Sequence, residues 1–352
     1  MRDFECEGVI HVHSIYSDGS GTIEEIMQAA TELGLDFVIV TDHNTLKARA
    51  DGYEGYYFND QRHLTLCLIS YEANDIYDQN HYLALGVSKT VHKRKPASDY
   101  VEAVREAGGF GVIAHPHERR EAFEKYPPFP WTEWSANFDG IEIWNQMSEW
   151  AEGWKPENRF RRVFHPLASV TAPPKETLEL WDKVNQERKV IAIGGVDAHA
   201  HEFNLLGLTI KIFPYKVCFR SIRTHALLRE PIDATQPIEQ EREKIYEALR
   251  EGRSFISNSY LGAAKGFRFW ATRGAETIEM GDAVWRSDEP IRFQAIAPRE
   301  CAIRLIRNGR IEAERQGDRL DVATSEAGVY RVECHLNQKA WIFSNAIRVV
   351  AT

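Results

Sequence analysis

The sequence has few cysteines and no long apolar run, and both absences narrow the classes of protein to consider. Its 352 residues include five cysteines, an odd number without a CxxC pair. This usage argues against a disulfide framework or a cysteine-rich zinc site and fits a reducing compartment. No stretch reaches the roughly 18 apolar residues of a membrane helix, and Met1–Glu7 does not resemble a signal peptide. The sequence therefore predicts a cytoplasmic protein without a membrane partner.

The chain also lacks an excess of positive charge. Its formal net charge is -9, from 43 Lys and Arg residues against 52 Asp and Glu residues. Because an acidic surface repels nucleic-acid phosphates, we expect no nucleic-acid partner. A small anionic substrate stays compatible with this balance, since bound metal ions reverse the local field. The composition is otherwise that of an ordinary globular protein, with 43% hydrophobic and 27% charged residues.

Over residues 1–260, short apolar runs are followed by a polar cluster and then by a helical segment. Such runs are Phe37–Val40, Leu66–Ile69, Phe110–Ala114 and Val190–Ile193. Repeated strand, loop and helix predict an α/β fold with a parallel sheet, either open and doubly wound or closed into a barrel. Because the polar clusters follow many different strands, the pattern favours a barrel.

Two regions depart from that pattern. From Leu261 onward, short strand-like segments alternate with turns, so residues 261–352 are predicted to form a small all-β sandwich domain after a barrel domain of residues 1–260. Residues 118–185 are rich in tryptophan and are predicted to be an insertion near the mouth of the barrel. We interpret these tryptophans as packing residues in preference to an aromatic cage around a substrate.

Histidines and carboxylates stand directly after several of the apolar runs. His11 and His13 lie two positions apart in a strand-like segment, so both imidazoles point to one face. Asp197 and His199 repeat this spacing. Because polar side chains at the ends of buried strands carry a desolvation cost, their recurrence predicts a metal site. A mixture of histidine and carboxylate suits Zn, Mn or Fe better than Ca or Mg. Further candidates of this kind are Asp18, His43, Glu72 and His115.

The ordered set of motifs resembles the PHP (polymerase and histidinol phosphatase) family. The matching segments are His11-Val12-His13-Ser14, Ser17-Asp18-Gly19, Thr41-Asp42-His43-Asn44, Tyr71-Glu72, Ala114-His115-Pro116-His117 and Gly195-Val196-Asp197-Ala198-His199. Over residues 9–200, the resemblance implies a distorted seven-stranded β/α barrel. It also implies a site for two or three divalent metal ions, which we expect to be Zn, Mn or Fe.

The resemblance further implies which residues hold each ion. Carried over to this chain, the ligands of the first ion are His11, His13, Glu72 and Asp197. Those of the second are Glu72, which bridges the two ions, His81 and His115. Those of the third are Asp18, His43 and His199. His81 begins an apolar run, whereas His43, Glu72, His115, Asp197 and His199 follow one.

The C-terminal segments resemble a subgroup of the same family. Gly252–Ser257, Leu305–Gly309 and Trp341–Asn345 are similar to segments of carbaryl-hydrolase-like proteins, which also carry a C-terminal β domain. No residue of this domain is predicted to be catalytic. We expect it either to pack against the barrel or to support a homo-oligomer.

These observations predict a metal-dependent hydrolase, foremost a phosphoesterase acting on a small phosphorylated molecule. Two or more metals would lower the pKa of a bridging water toward about 7, and the resulting hydroxide would attack the ester. His117, Arg119 and Lys47 are candidates for binding the non-bridging oxygens, and each is equally compatible with a solvated surface position. Asp42 is predicted to orient its neighbours. Glu142 is a candidate ligand or catalytic base, or a residue that merely ends a strand.

Two other functions stay open. Hydrolysis of a carboxylic or carbamic ester, or of an amide, would use the same metals at a carbonyl group, and the subgroup resemblance favours it. A non-catalytic metal-binding regulatory module is the third possibility, against which the complete ligand set argues. The net acidity disfavours an exonuclease or proofreading role.

Overall fold

The computed structural model describes residues 4–60, 63–91, 95–120, 127–205 and 208–351. For residues 203–205 and 208–210 it describes the backbone alone. Its helices are α1 (Ile23–Glu32), α2 (Lys47–Ala50), α3 (Ala97–Glu106), α4 (Gln146–Glu152), α5 (Arg159–Phe164), α6 (Lys175–Glu187), α7 (Tyr215–Cys218) and α8 (Ile238–Arg250), with a 3-10 turn at Pro166–Ser169. Within these described ranges, none of the helices has the length and apolar character needed to cross a bilayer.

Strands make up much of the molecule. In the first part of the chain they are β1 (Phe4–Val12), β2 (Phe37–Val40), β3 (Gly55–Phe58), β4 (Leu64–Ile69), β5 (Tyr71–Ala73), β6 (Tyr82–Leu85), β7 (Phe110–Ile113), β8 (Gly140–Asn145), β9 (Ile191–Gly195), β10 (His201–Leu205), β11 (Leu208–Ile212), β12 (Ile222–Leu228) and β13 (Ser254–Asn258). The later strands are β14 (Arg268–Arg273), β15 (Glu276–Glu279), β16 (Ala283–Trp285), β17 (Ile291–Arg307), β18 (Arg310–Thr324), β19 (Gly328–Leu336), β20 (Lys339–Ser344) and β21 (Ile347–Val350).

Helix α1 shows how local sequence fixes these elements. The hydroxyl of Thr22 accepts from the backbone N–H of Glu25, and the Glu25 carboxylate accepts from the backbone N–H of Thr22. This capping box satisfies two donors that the helix itself leaves unpaired. Ile23, Ile26 and Met27 follow at helical spacing and are fully buried. The helix therefore covers the neighbouring strands with one apolar face.

The described strands form three sheets. The largest has fourteen strands, with a main path β15-β14-β17-β19-β20-β13-β12-β1-β2-β4-β3. A five-stranded sheet has the order β5-β6-β7-β8-β9, and β10 pairs with β11 alone. Pairing is parallel from β1 to β2 to β4 and from β7 to β8 to β9, but antiparallel between β5, β6 and β7. The fold is thus α/β as predicted, with mixed instead of purely parallel sheets.

The two larger sheets meet where their strands end. Strand β4 leads directly into β5, and isolated parallel bridges join His43 to Glu72 and Val12 to Ala198. The described strands do not form a closed sheet, so the barrel stays a prediction. The bridges nevertheless bring the ends of β1, β2, β5 and β9 to one place.

The strands after Leu261 continue the large sheet through pairing of β20 with β13. Strand β17 bends at a register shift between Ile296 and Cys301, so its first half pairs with β14 and its second half with β19. The predicted all-β character is therefore present, but its hydrogen bonding forms one network with the preceding part of the chain. The domain boundary near residue 260 stays a prediction.

Strand β8 lies within residues 118–185, the segment predicted to be an insertion near the mouth of the barrel. Gly140–Asn145 is entirely buried and lies between β7 and β9 in the five-stranded sheet. This part of the segment belongs to the central sheet because its alternating Ile141 and Ile143 are core residues. Residues 121–126 of the predicted insertion lie outside the described residues.

A buried ion pair ties the C-terminal strands to helix α6. The Arg331 guanidinium on β19 donates through Nε and Nη2 to the two carboxylate oxygens of Asp182 on α6, at 2.7 and 2.8 Å. Arg331 is 3% exposed, and its guanidinium also lies over the Trp181 ring. Such a two-pronged pair fixes the orientation of the helix against the strand.

Candidate metal centre

All nine residues predicted as metal ligands lie in one cluster. They form four overlapping groups, and within each group the candidate ligand atoms lie within 4.8 Å of one another. The groups are His11, His115 and Asp197; His11, His13 and Glu72; His43, Glu72 and His81; and His13, Asp18, His43 and His199. His81, which the sequence pattern supported least, is therefore placed with the others.

Backbone conformation, as well as side-chain type, marks these positions. His11, His115 and Asp197 have positive φ angles of 68°, 28° and 51°. Non-glycine residues rarely adopt this region, and each costs about 1–3 kcal/mol. The β1–β2 register shifts between Ile10 and Val12. The imidazoles of His11, in β1, and of His13, just after it, thus reach the cluster through a backbone irregularity at His11. Simple strand alternation, which their spacing predicts, does not describe this segment.

Glu72 lies at the centre of the cluster. Its Oε2 is 3.1 Å from the Nε2 atoms of both His11 and His13. Its Oε1 is 2.8 Å from His81 Nδ1 and 3.4 Å from His115 Nε2. Burial raises the pKa of this carboxyl, but the surrounding histidines, His11 foremost, lower it well below its usual range. Glu72 is therefore an ionised carboxylate, 1% exposed, with imidazoles on both oxygens.

Two aspartates complete the acidic part of the cluster. Asp197 Oδ1 lies 3.4 Å from His11 Nε2 and 3.5 Å from both His13 Nε2 and His199 Nδ1. Asp18 Oδ2 lies 3.3 Å from His199 Nε2. Asp197 is buried, whereas half of the Asp18 side chain is exposed. The cluster is consequently closed on the side of Asp197 and open to solvent beside Asp18.

The donor set fits divalent metal ions. His13 Nε2 and His43 Nδ1 are buried and have no hydrogen-bond partner among the described residues. Buried polar nitrogens without a partner are costly, and a cation in the cluster would offer one. Imidazoles mixed with carboxylates suit Zn, Mn or Fe. The residues present can therefore hold the divalent ions that the sequence motifs imply.

Protons are bound tightly to part of this cluster. Burial lowers the pKa of His13, but its contacts with the carboxylates of Asp197 and Glu72 raise it to about 10. Burial likewise lowers the pKa of His115, but the charge of Glu118 and the contact with Glu72 raise it to about 9. For His43, burial prevails and lowers the pKa to about 3.

Metal affinity is expected to rise with pH. A histidine binds metal only in its neutral form, so a cation must displace the protons that the carboxylates hold on His13 and His115. Because these pKa values are raised, proton competition is strong at neutral pH and weakens toward pH 9–10. Calorimetric titration with Mn²⁺ at about pH 6 and about pH 8.5, in buffers of different ionisation enthalpy, measures both affinity and proton release. Equal affinity at the two pH values, with no protons released, would contradict this expectation.

Glu142, predicted as a ligand, a catalytic base or a residue that ends a strand, contacts two of the candidate ligands. Its Oε1 is 2.9 Å from His11 Nδ1, and its Oε2 accepts from the backbone N–H of His115 at 2.8 Å. The Glu142 side chain also accepts from Asn145 Nδ2. A carboxylate that binds the outer nitrogen of a ligating histidine fixes its tautomer and orientation. The geometry therefore places Glu142 as a positioning residue for His11.

Asp42 has a comparable place beside the loop that carries Asp18. Its Oδ1 accepts from the backbone N–H of Ser14 and from the Ser17 hydroxyl, both at 2.7 Å. Its Oδ2 accepts from the Ser14 hydroxyl at 2.6 Å. Asp42 thus fixes the loop after His13, which agrees with the predicted orienting role.

Adding one methyl group at Gly195 is expected to weaken metal binding about 10- to 100-fold. A Cβ at this position would collide with Glu142 Oε1 and crowd His11 Cβ. Gly195→Ala should therefore displace the carboxylate from His11 without changing any candidate ligand. Gly55→Ala is the matched control, because a Cβ there meets no atom within 4 Å. Metal affinity by titration tests the pair, and equal affinities would refute a positioning role for Glu142.

Three residues predicted to contact substrate lie elsewhere. His117 Nδ1 is 2.9 Å from the Thr177 hydroxyl. Arg119 is 62% exposed and pairs with Glu176. Lys47 is 63% exposed and pairs with the aspartate one turn later. None of them is among the residues that line a cavity of about 520 Å³ over the cluster.

A cavity of about 520 Å³ opens over the cluster. Seven of its lining residues are candidate ligands, namely Asp18, His43, Glu72, His81, His115, Asp197 and His199. The rest of the lining consists of Arg120, Pro127, Phe129, Met147, Trp150, Ala151, Trp154, His201 and Ile212. The packing interpretation holds for Trp131, Trp144 and Trp181, which are buried in the core. Trp150, which is 6% exposed, and Trp154 also pack in a hydrophobic cluster, and both in addition line the cavity.

Sequence reasoning missed Glu118 and Arg120. Glu118 is 4% exposed and accepts from the Ser148 hydroxyl and from the backbone N–H of Phe129, at 2.7 and 3.0 Å. Its Oε1 also lies 2.6 Å from Arg120 Nη2. Glu118 therefore fixes two residues of the cavity wall. The signal available in the sequence was only its position three residues after His115, which is too common a spacing to be informative.

The chain is similar to several solved structures at low sequence identity, while no functionally curated protein matches it. One is a two-domain protein from Bacteroides vulgatus containing a predicted PHP-like metal-dependent phosphoesterase, with 12% identity, coverage of 98% of this chain and 95% of that chain, and a TM-score of 0.48. Another is a proposed metal-dependent phosphoesterase from Bifidobacterium adolescentis, with 16% identity, coverage of 59% and 93%, and a TM-score of 0.34. A third is an amidohydrolase from Chromobacterium violaceum with bound sulfate and no metal, with 14% identity, coverage of 55% and 87%, and a TM-score of 0.31.

The sequence itself matches a family profile over part of its length. Residues 10–116 match the profile of the PHP domain. This stretch includes all of the candidate ligands except Asp197 and His199, which follow β9. The part of the chain that carries most of the metal centre is therefore similar to a PHP domain, the family that its motifs indicate.

Proposed function

We propose that this protein is a metal-dependent hydrolase that cleaves phosphate esters of small molecules. The observation that carries the proposal is the cluster of nine histidine and carboxylate residues beneath a cavity large enough for a substrate. The similarity of residues 10–116 to a PHP domain supports it. Two or three divalent ions, Zn, Mn or Fe, are the cofactors that this donor set suits.

Each part of the cluster has a separate task in this proposal. Glu72 belongs to two of the ligand groups and would therefore contribute to holding more than one ion. Glu142 orients His11, and Asp42 fixes the loop of Asp18. Divalent ions bound here supply Lewis acidity toward the ester oxygens and make water a nucleophile near neutral pH. The apolar wall keeps bulk water away from the ester while the P–O bond is cleaved.

A panel of nitrophenyl esters tests the proposal. Protein loaded with Mn, Zn or Fe should hydrolyse p-nitrophenyl phosphate, with weaker or no action on bis-p-nitrophenyl phosphate and p-nitrophenyl acetate. A Glu72→Gln preparation purified in parallel shows whether a contaminating phosphatase is present. Turnover of the acetate alone would rule out phosphate-ester hydrolysis as the function.

The second candidate function is hydrolysis of a carboxylic or carbamic ester or an amide. The observation in its favour is the largely apolar wall, which also accommodates an uncharged ester. The resemblance of the C-terminal segments to carbaryl-hydrolase-like proteins points the same way. The acetate arm of the panel decides between the two. A fully metal-loaded protein without any turnover would favour a metal-binding regulatory module.

We also propose that the two larger sheets act as a distorted barrel around the metal centre. The parallel bridges between His43 and Glu72 and between Val12 and Ala198 support this arrangement. The substrate we expect is a small anionic molecule, with neither nucleic acid nor membrane as a partner. A homo-oligomer stays a proposal for the C-terminal strands.

A further inference from the structure

We infer that the substrate is a phosphate monoester whose leaving group is an uncharged aromatic ring. The inference rests on the proposed function and specifies its substrate class. In the reaction, water cleaves the P–O bond to the aryl oxygen. The products are inorganic phosphate and a phenol, with one proton from water on the phenol oxygen.

The apolar wall begins directly at the candidate metal centre. The Phe129 ring stacks on the His81 imidazole, with centroids 4.8 Å apart and an angle of 13° between the planes. A leaving group attached to a phosphate at the cluster would therefore meet an aromatic surface first. Offset or edge contacts between aromatic rings add to the benefit of burial.

Two tryptophans continue this wall. Trp150 donates from Nε1 to the backbone carbonyl of Arg162 at 2.9 Å, so its polar atom is already occupied outside the cavity. Its ring packs edge-on against Trp154 and Phe213, with centroids 5.2 and 5.0 Å apart. The part of Trp150 left to the cavity is thus ring carbon in a fixed position. A rigid apolar surface of this kind binds a flat apolar group at little entropic cost.

The charges of the wall argue against a second anionic group on the substrate. Arg120 is the only lysine or arginine among the described residues that line the cavity. Its guanidinium is already paired with the buried Glu118 carboxylate at 2.6 Å. A bisphosphate or a nucleotide polyphosphate would bring a further charge that only Arg120 could meet, a cation already shared with Glu118 but with a buried Nε that has no partner among the described residues.

The wall offers few partners for a sugar. Its described lining includes no Ser, Thr, Asn or Gln, and apart from the candidate ligands its polar side chains are His201 and Arg120. Each hydroxyl of a sugar phosphate that was buried against the apolar part of this surface would lose its water without a replacement, at about tenfold in affinity. The volume of about 520 Å³ lies within the range of small-molecule sites. An aromatic ring satisfies all of these conditions.

Binding of two phosphonates with the same head group tests the inference without turnover. In Mn-loaded protein, phenylphosphonate should bind at least about tenfold more tightly than methylphosphonate, because only the phenyl ring buries apolar area. Quenching of tryptophan fluorescence and calorimetry both measure the two affinities. In turnover, phenyl phosphate should exceed glycerol phosphate in kcat/KM by a similar factor.

Substitution of one wall tryptophan adds a matched comparison. Trp154→Ala should reduce the preference for phenylphosphonate to below about threefold and leave methylphosphonate affinity unchanged. Trp134→Ala is the control, since Trp134 stacks on His117 outside the cavity and should change neither affinity. The comparison of ligands in the unaltered protein stands even if Trp154→Ala does not fold.

The outcomes separate the two proposals. Equal affinities for both phosphonates, or preference for glycerol phosphate, would overturn the aromatic substrate class while leaving phosphate-ester hydrolysis intact. Failure of both phosphonates to bind, together with no hydrolysis of any phosphate ester, would overturn the proposed function itself.

Discussion

Replacing Glu72 with glutamine is expected to lower both metal content and phosphate-ester hydrolysis by at least about 100-fold. Glu72 is the residue whose two oxygens contact different histidines, His11 and His13 on one side and His81 on the other. Glutamine keeps the volume but removes the negative charge that balances bound cations. Because two ligand groups share this carboxylate, more than one ion should be lost. Elemental analysis and kcat/KM measure the two effects.

A matched glutamate keeps this test specific. Glu241 on α8 is equally buried, at 1%, but it binds Lys244 and the backbone of Asp233 far along the chain from the cluster. Glu241→Gln should retain both metal and activity, whatever it costs in stability. Full metal content in Glu72→Gln would show that the cluster is not the metal centre. Metal loss in both variants would point to general unfolding.

Replacing Asp182 with asparagine is expected to reduce the free energy of unfolding by about 3 kcal/mol. The change leaves the Arg331 guanidinium buried without the carboxylate that accepts two of its N–H groups. This loss of stability is at the lower end of the range for removing one partner of a buried ion pair. The reason is that Glu333 still accepts from Arg331 Nη1 at 2.6 Å. Denaturant unfolding of metal-free protein measures the difference.

An exposed pair of the same residue types is the control. Arg292 donates to Asp321 at 2.7 Å, but the two side chains are 56% and 48% exposed. Asp321→Asn should cost less than about 1 kcal/mol, because water screens the lost attraction. The double variant Asp182→Leu with Arg331→Met should regain only part of the stability, since it removes the buried pair but leaves Glu333 with His335 as its remaining partner. A small effect of Asp182→Asn alone would mean that α6 does not depend on this pair.

The predictions from sequence were best where residue type and strand position coincide. Histidine or carboxylate after a buried apolar run identified His13, Glu72 and Asp197, because such residues are costly there unless they serve a site. His117 and Arg119 follow the same strand as His115, but they contact Thr177 and Glu176 and do not line the cavity. The pattern of residues along the chain predicts where a strand ends. It does not predict the direction that the following loop takes.

Strand β18 and the cavity wall show a different limit. Residues 310–324 are charged and mostly exposed, so they lack the apolar pattern by which the other strands were identified. They form a strand because their backbone pairs with that of β17 from Arg310 to Thr324. Trp150 and Trp154 are likewise of a residue type that is typical of a core. Only their position over the cluster distinguishes them from Trp144.

The sequence by itself determined the cluster of histidines and carboxylates as a set of residues, because the resemblance of its motifs and the order of polar residues along the strands are linear information. The tertiary structure decided how that set is used. It brought β1, β2, β5 and β9 together through the bridges at Val12 and His43, and it assigned Glu142 to His11. It also turned tryptophans of a predicted insertion into the wall of a cavity. These relations join residues far apart in sequence, and they depend on packing that no local pattern encodes.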